Sequence, residues 1–381
     1  MIRTPLYKQV QQYILDFIQE KEWKADQKIP SENELADKFS VSRITVKKAL
    51  DSLVEEGQIY RIQGKGSFIS SSTLGEPSIY EVTATAKKKP QFKLIACLVP
   101  VLNSELTTAI FARIQSLLSK AGYQMLLFQT DDSQENEQQI VKRAMEMGVD
   151  GIIIYPVEGE TYNEEVLKLT LQDFPLVLID RYFRGIEANS VCSDNFLGSY
   201  EAVQYLLKMG HSQIGLVSTH HLGTTSIEDR IQGYEKALTD AGISIDHKLQ
   251  LLDLYRSEDS PEQREENKRK VQDFIEKNPE MSAIFSVSPR LEIIETASEL
   301  GLRIPDDLSL ILFDDYAQAD LFATPPSCVQ QQGHSIGEEA VKLLVSAIQN
   351  PAQKRKKVFI SPKLIIRKST AKAKYSDSPR V

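Results

Sequence analysis

Two kinds of apolar spacing divide the chain. Near the start, Val10, Tyr13, Ile14, Phe17 and Ile18 recur at i, i+3, i+4, i+7 and i+8, which predicts an amphipathic helix. Pro30-Ser31 opens a second, short helix carrying Leu35, Ala36 and Phe39. Ser31 is its N-cap and Glu34 stands three residues on, a capping-box pattern. Ser42 caps a third helix, whose stripe is Val46, Ala49, Leu50, Leu53 and Val54, and Gly57 ends it. Ile59–Ile62 and Ser67–Ile69 read as short strands joined around Gly64-Lys65-Gly66, a tight tip. Helix, helix, turn, helix and hairpin make a winged helix-turn-helix.

From Leu94 the period changes. Leu94–Val99, Met125–Phe128, Gly151–Tyr155 and Leu176–Ile179 are short apolar runs separated by helical spacing, as at Ala109–Ala121 and Gln139–Met147. A second cycle holds Ile214–Val217, a helix to Ala241, Ala283–Phe285, a helix to Leu300, and Leu308–Phe313. Alternation of this kind implies parallel sheets with helices on both faces. The stretch is too long for one sheet, so a two-lobed α/β domain is expected. The polar, lysine-bearing stretch between the two patterns has neither period and reads as a linker. The expected division is therefore 1–70, a linker 71–92, 93–370 and a polar tail 371–381, with everything after Ile366 expected to be loose.

Composition sharpens this. At 381 residues and 41% hydrophobic, the chain is globular with two or three domains. Its net charge of -8 alone argues against a nucleic-acid coat. The first 72 residues, however, carry 11 basic and 10 acidic groups, leaving 34 basic and 43 acidic for the rest. The acidity lies in the large domain. Cys97, Cys192 and Cys328 are far apart in apolar stretches, so neither a disulfide framework nor a metal site is expected. No apolar run nears a membrane span and the start lacks a signal segment, so a cytoplasmic location is expected.

In the head, the third helix's stripe leaves Ile44, Thr45, Lys47 and Lys48 facing away from the core, with Arg43 in the first turn. Arg can read guanine bidentately, and Thr or an apolar group can meet a thymine methyl in the major groove. Gln63-Gly64-Lys65 adds an amide, bare backbone and a cation at the wing tip, which suits phosphate or minor-groove contact. Without the wing, a surface helix with ordinary basic decoration would be an equally good reading. In the body, ligands of open α/β sheets bind beyond the strands' carboxyl ends. That rule nominates Asn103, Thr130, Asp131, Asp180, Arg181, Ser218, His220, Ser288 and Asp314. Asp180 and Asp314 are expected to meet a ligand, Asp315 to form a turn, and the His220-His221 pair to be a polar loop. No Gly-x-Ser-x-Gly elbow, phosphate loop or His/Cys metal spacing occurs, so no cofactor and no enzyme are expected.

Pro5-Leu6-Tyr7, Ile29-Pro30-Ser31-Glu32-Asn33-Glu34-Leu35-Ala36, Val41-Ser42-Arg43-Ile44-Thr45-Val46 and Gly64-Lys65-Gly66-Ser67-Phe68 resemble the DNA-binding domain of GntR-family regulators. The resemblance implies DNA contacts from Asn33, Ser42, Arg43, Ile44, Thr45, Lys47, Gln63 and Gly64, although many members carry Arg where Asn33 stands. Asp180-Arg181, Asp194-Asn195, Gly210-His211-Ser212, Arg230-Ile231-Gln232-Gly233-Tyr234, Asp314-Asp315 and Val329-Gln330-Gln331 resemble the effector domain of the LacI/GalR family. This implies the periplasmic-binding-protein fold, a small carbohydrate-like effector, and contacts from Asp180, Arg181, Arg230, Asp314 and Gln331, with Asn103 to Glu105 as a further loop. Two departures stand out: Ser288-Pro289 replaces the usual Asn-Asp, and Asn103-Ser104-Glu105-Leu106 replaces the usual aromatics.

A GntR-type head on a LacI-type body resembles the arabinose repressor subfamily. The resemblance implies a homodimeric repressor that leaves operator DNA when a sugar fills the cleft. One alternative is a regulator whose body only dimerises. A more distant one is an α/β enzyme.

Overall fold

The computed structural model describes residues 6–19, 27–55, 57–62, 66–70, 93–157, 162–219, 223–255, 260–288, 290–316, 319 and 323–374. The wing-tip residues Gln63, Gly64 and Lys65, the pair His220-His221, Pro289, the linker and positions 375–381 lie outside the described residues. The chain divides into two compact units, Met1–Phe92 and Lys93–Val381.

The first unit holds α1 (Leu6–Gln19), α2 (Glu32–Phe39), α3 (Arg43–Glu55) and the hairpin β1 (Ile59–Ile62) and β2 (Gly66–Ile69). Ser31 caps α2 in a complete capping box: Glu34 N–H donates to Ser31 Oγ at 3.3 Å and Ser31 N–H to Glu34 Oε2 at 2.7 Å. Ser42 Oγ accepts from Thr45 N–H at 3.2 Å and starts α3. Val10, Ile14, Leu35, Val46, Ala49, Leu50, Leu53, Ile59 and Ile69 form one core. Val54, expected in that stripe, is 37% exposed. At the end of a 13-residue helix it has turned past the core-facing arc.

The second unit has two lobes of matching design. The N-lobe sheet comprises β3 (Lys93–Val99), β4 (Tyr123–Gln129), β5 (Gly151–Ile154), β6 (Leu176–Ile179), β7 (Asn189–Ser193) and β13 (Lys357–Ile360), ordered β13-β7-β6-β5-β3-β4. The C-lobe sheet comprises β8 (Ile214–Thr219), β9 (Gln250–Leu254), β10 (Ala283–Ser286), β11 (Ser309–Phe313), β12 (Ser327–Gln330) and β14 (Lys363–Ile365), ordered β14-β12-β11-β10-β8-β9. All pairings are parallel except that β14 runs antiparallel to β12.

The helices are α4 (Glu105–Lys120), α5 (Gln134–Glu146), α6 (Glu164–Leu171), α7 (Asn195–Lys208), α8 (Thr225–Asp240), α9 (Pro261–Lys277), α10 (Leu291–Glu299) and α11 (Gly333–Gln349). The chain crosses between lobes after β7, after β12 and after β13. Gly337 of α11 makes the return possible: a Cβ there would stand 2.7 Å from the Ile110 carbonyl of α4, so only glycine admits this approach. Apolar clusters fill both faces of each sheet.

The segment after Ile366 is docked on the C-lobe as far as Lys374, against the expectation that it is loose. Ser369 is 1% exposed, and Leu310 N–H donates to its carbonyl at 2.8 Å. Arg367 grips Asp315 bidentately at 2.6 and 2.7 Å. Asp315 is thereby occupied by structure.

Candidate functional site

The cleft lies where the carboxyl ends of both sheets face each other, and the two lobes contribute the same device. Asp180 follows β6 and Asp314 follows β11, the equivalent strand. Both sit in the left-handed region, at φ 66° and 73°, a conformation that Asp tolerates better than most residues. Asp180 N–H donates to Val191 O at 3.0 Å and Asp314 N–H to Val329 O at 2.9 Å, so each turn is tied to the next strand.

Five residues of the C-lobe and its crossovers form a closed hydrogen-bonded ring. Arg230, on α8, donates from Nη1 to Asp314 Oδ2 at 3.5 Å and to Val287 O at 2.7 Å, and from Nε to Asn195 Oδ1 at 2.8 Å. Gln331 Nε2 donates to Asp314 Oδ1 at 2.7 Å, and Gln331 Oε1 accepts from Ser193 Oγ. Asn195 Nδ2 returns to Ser193 O at 3.2 Å. Ser193, Asn195 and Gln331 stand at the crossovers between lobes, so the ring joins the cleft to its hinges. The guanidinium of Arg230 also lies 3.6 Å over the Phe313 ring. Burial pushes the Asp314 carboxyl above its usual range; Arg230 and Gln331 pull it back and Asp180 adds to the rise.

On the opposite wall, Arg181 donates from Nη1 to Pro156 O at 2.6 Å and stacks 4.8 Å over Tyr155. Glu137, on α5, lines the same wall with Asn163, Tyr162 and Phe183. It is 1% exposed and accepts from Val157 N–H at 2.7 Å. Burial lifts its carboxyl to about 7 against the pull of the Val157 amide, Asn163 and Arg181. Carboxylates, guanidinium groups and an amide at this spacing suit a small ligand rich in hydroxyls, which can donate and accept at once.

Asp180, Arg181, Arg230, Asp314 and Gln331 are thus brought to one cleft. Ser288 follows β10 by two residues, next to the Val287 carbonyl that holds Arg230, and its buried hydroxyl has no partner among the described residues. Asn103 and Glu105 lie exposed at the rim beyond β3, and none of the hydrogen bonds among the described residues ties them to the five. Thr130 and Asp131, just after β4, and Ser218, within β8, are engaged inside their own lobes. Thr130 N–H returns to Val99 O, Asp131 holds Gln129 Nε2 at 2.6 Å, and Ser218 Oγ bonds Thr219 O.

Sequence reasoning passed over Glu137, Ser193, Asn195, Tyr155 and Phe313. The aromatics were findable, since each ends or directly follows an apolar strand run. Tyr162 and Phe183, whose ring centroids are 4.2 Å apart, pack on each other in the wall that Glu137 lines.

In the head, Arg43, Ile44, Lys47 and Lys48 are exposed on one face of α3, Ile44 to 80%. Asn33 is exposed on α2. The Ser42 and Thr45 hydroxyls pair at 2.9 Å. Arg61 is engaged by Asp51 and Glu32, whereas no carboxylate among the described residues pairs with Arg43 or Lys47. An apolar tip flanked by exposed cations is a surface suited to a groove floor and its phosphates.

Residues 6–69 match the gntR family of bacterial regulatory proteins and residues 203–370 match the periplasmic binding protein-like domain. An arabinose metabolism transcriptional repressor of Halalkalibacterium halodurans is 30% identical over 356 residues, covering 91% of this chain and 92% of the relative. One from Geobacillus stearothermophilus is 26% identical over 96% of this chain and 98% of its own. The crystal structure of a LacI family transcriptional regulator from Enterococcus faecium with bound ribose superposes with a TM-score of 0.61 at 24% identity, over 74% of this chain and all of the other.

Proposed function

Since the chain belongs to the family of arabinose metabolism transcriptional repressors, with a GntR-type head and a periplasmic-binding-protein-like body, we propose that its cleft binds a small free sugar, of pentose class, and that filling the cleft releases operator DNA. It is a transcriptional repressor of sugar metabolism rather than an enzyme.

The observation that carries the effector reading is the ring of Arg230, Asp314 and Gln331 facing Asp180 and Arg181 across the cleft. Each carboxylate can accept two sugar hydroxyls while the guanidinium groups donate to ring and hydroxyl oxygens. Asp180 and Asp314 sit at equivalent turns of the two lobes, so one ligand can satisfy both and draw the lobes together. Ribose in the Enterococcus faecium regulator supports the size class.

The head reads its operator through Asn33, Ser42, Arg43, Ile44, Thr45 and Lys47, with Gln63, Gly64 and Lys65 at the wing. A homodimer formed through the body, in the cytoplasm, would present two heads to two half-sites. Sugar binding then shifts the population toward a body arrangement in which the heads no longer span both.

Calorimetry of the full chain with L-arabinose, D-ribose, D-xylose, hexoses and pentose phosphates tests the effector reading. At least one free pentose is expected to bind, and Arg230→Ala to abolish that binding. Binding by phosphates alone would overturn the pentose assignment, and binding by none would favour a body that only dimerises.

A further inference from the structure

Two neighbouring residue pairs on facing lobes divide their roles in the same way. Arg181 of the N-lobe points into the cleft, and Tyr182 beside it crosses to the C-lobe. Its hydroxyl donates to the carboxylate of Asp229, lying 2.9 and 3.1 Å from the two oxygens. Arg230 of α8 holds Asp314, and the residue before it is that same Asp229.

Each cleft guanidinium is therefore one peptide unit from an interlobe contact. The surroundings reinforce it. Thr225 Oγ1 accepts from Tyr182 N–H at 3.3 Å and is 3.2 Å from Tyr182 O, a second pairing of the same two segments. Arg184 reaches Glu228 at 2.9 Å and Asp229 at 3.2 Å. Lys357 Nζ lies 3.4 Å over the Tyr182 ring, which Phe359 meets edge-on at 6.0 Å.

Asp229 is only 13% exposed, so its bonds are not the screened surface pairs that contribute little. The contacts of Tyr182 and Arg184 with Thr225, Glu228 and Asp229 join α8 to the loop after β6, while Lys357 and Phe359 of β13 hold the Tyr182 ring from the N-lobe side; opening of the cleft breaks the α8 contacts together.

We propose that Tyr182 and Asp229 form an interlobe clasp that positions Arg181 and Arg230 for a sugar-class effector. The role rests on the effector reading above, but the clasp itself does not. Both are positioning residues, because neither needs to touch the ligand. Closure aligns the two guanidinium groups, and the clasp biases the lobes toward closure before ligand arrives.

The test uses the full chain and the variants Tyr182→Phe, Asp229→Asn and the double substitution. Amide hydrogen exchange is measured without sugar, and affinity is measured with L-arabinose as the probe. The clasp predicts that each single variant raises exchange about tenfold in both 181–184 and 225–230, while strand β5 stays protected. It also predicts that the double variant adds little to either single one, in exchange and in L-arabinose affinity alike. Unchanged exchange, a rise confined to one lobe, or additive effects would overturn the proposal. If the unsubstituted chain binds none of L-arabinose, D-ribose and D-xylose while exchange behaves as stated, the clasp stands and the pentose reading falls.

Discussion

At the scale of single residues, the cleft is a set of buried charges held by unlike partners, and each has a separate signature. Glu137 is the clearest. Its carboxyl titrates near 7 in the folded chain and near 4.5 when exposed, so the folded state binds the proton more tightly between those values. The stability it contributes is highest below about 4.5 and is lost as pH rises through about 7. Glu137→Gln keeps an acceptor for the Val157 amide and cannot ionise. Thermal unfolding is expected to show it more stable than the original at pH 8, by about 2 kcal/mol, with the gain gone at pH 4.5; a constant difference across pH would refute the assignment.

Arg43 has a different signature. Arg43→Ala is expected to cost about 1–3 kcal/mol on the operator and much less on random DNA, as a base contact should. Lys47→Ala, by contrast, is expected to weaken both and to lower the salt slope by about one, as read from binding at graded salt.

At the scale of elements, caps and clamps decide what the spacing alone leaves open. Ser31→Ala removes the hydroxyl half of the α2 capping box and is expected to cost the head about 1 kcal/mol, seen as faster amide exchange along α2. Arg367→Ala leaves the Asp315 carboxylate without its clamp and is expected to cost the body about 2 kcal/mol in denaturant unfolding.

The elements that were legible in the sequence share one property: their apolar residues carry the period. The three head helices, β6 and β11 are of this kind. β7 is fully buried yet reads Asn-Ser-Val-Cys-Ser, because Asn189 and Ser193 are satisfied by distant partners, the Lys356 amide and Gln331. No local pattern announces that. The same reason hid Asn195 and Ser193, whose roles exist only where the chain crosses between lobes. Asp180 and Asp314 were visible because strand ends fix them, whereas Arg230 lies mid-helix and only the resemblance pointed to it. The segment after Ile366 looked loose because its anchors, Leu310, Ser327 and Asp315, are distant in sequence.

At the scale of the molecule, the two lobes repeat one strand order and one aspartate turn, and the chain passes between them through residues that belong to the cleft's hydrogen-bonded ring. In the proposed homodimer, a ligand that engages Asp180 and Asp314 would act on the hinges directly, and through them on the two heads. The acidic body and the nearly neutral head fit this division. In the proposed reading, recognition rests on a few side chains of the head, and the body's negative charge opposes unspecific attachment to DNA. The most direct test is operator affinity of the full chain at one fixed salt concentration, titrated with L-arabinose and D-ribose, beside Arg230→Ala. One pentose is expected to weaken operator binding at least tenfold and the variant to hold its operator at every sugar concentration; equal operator affinity with and without either sugar, or an unaltered response in the variant, would contradict sugar-driven release.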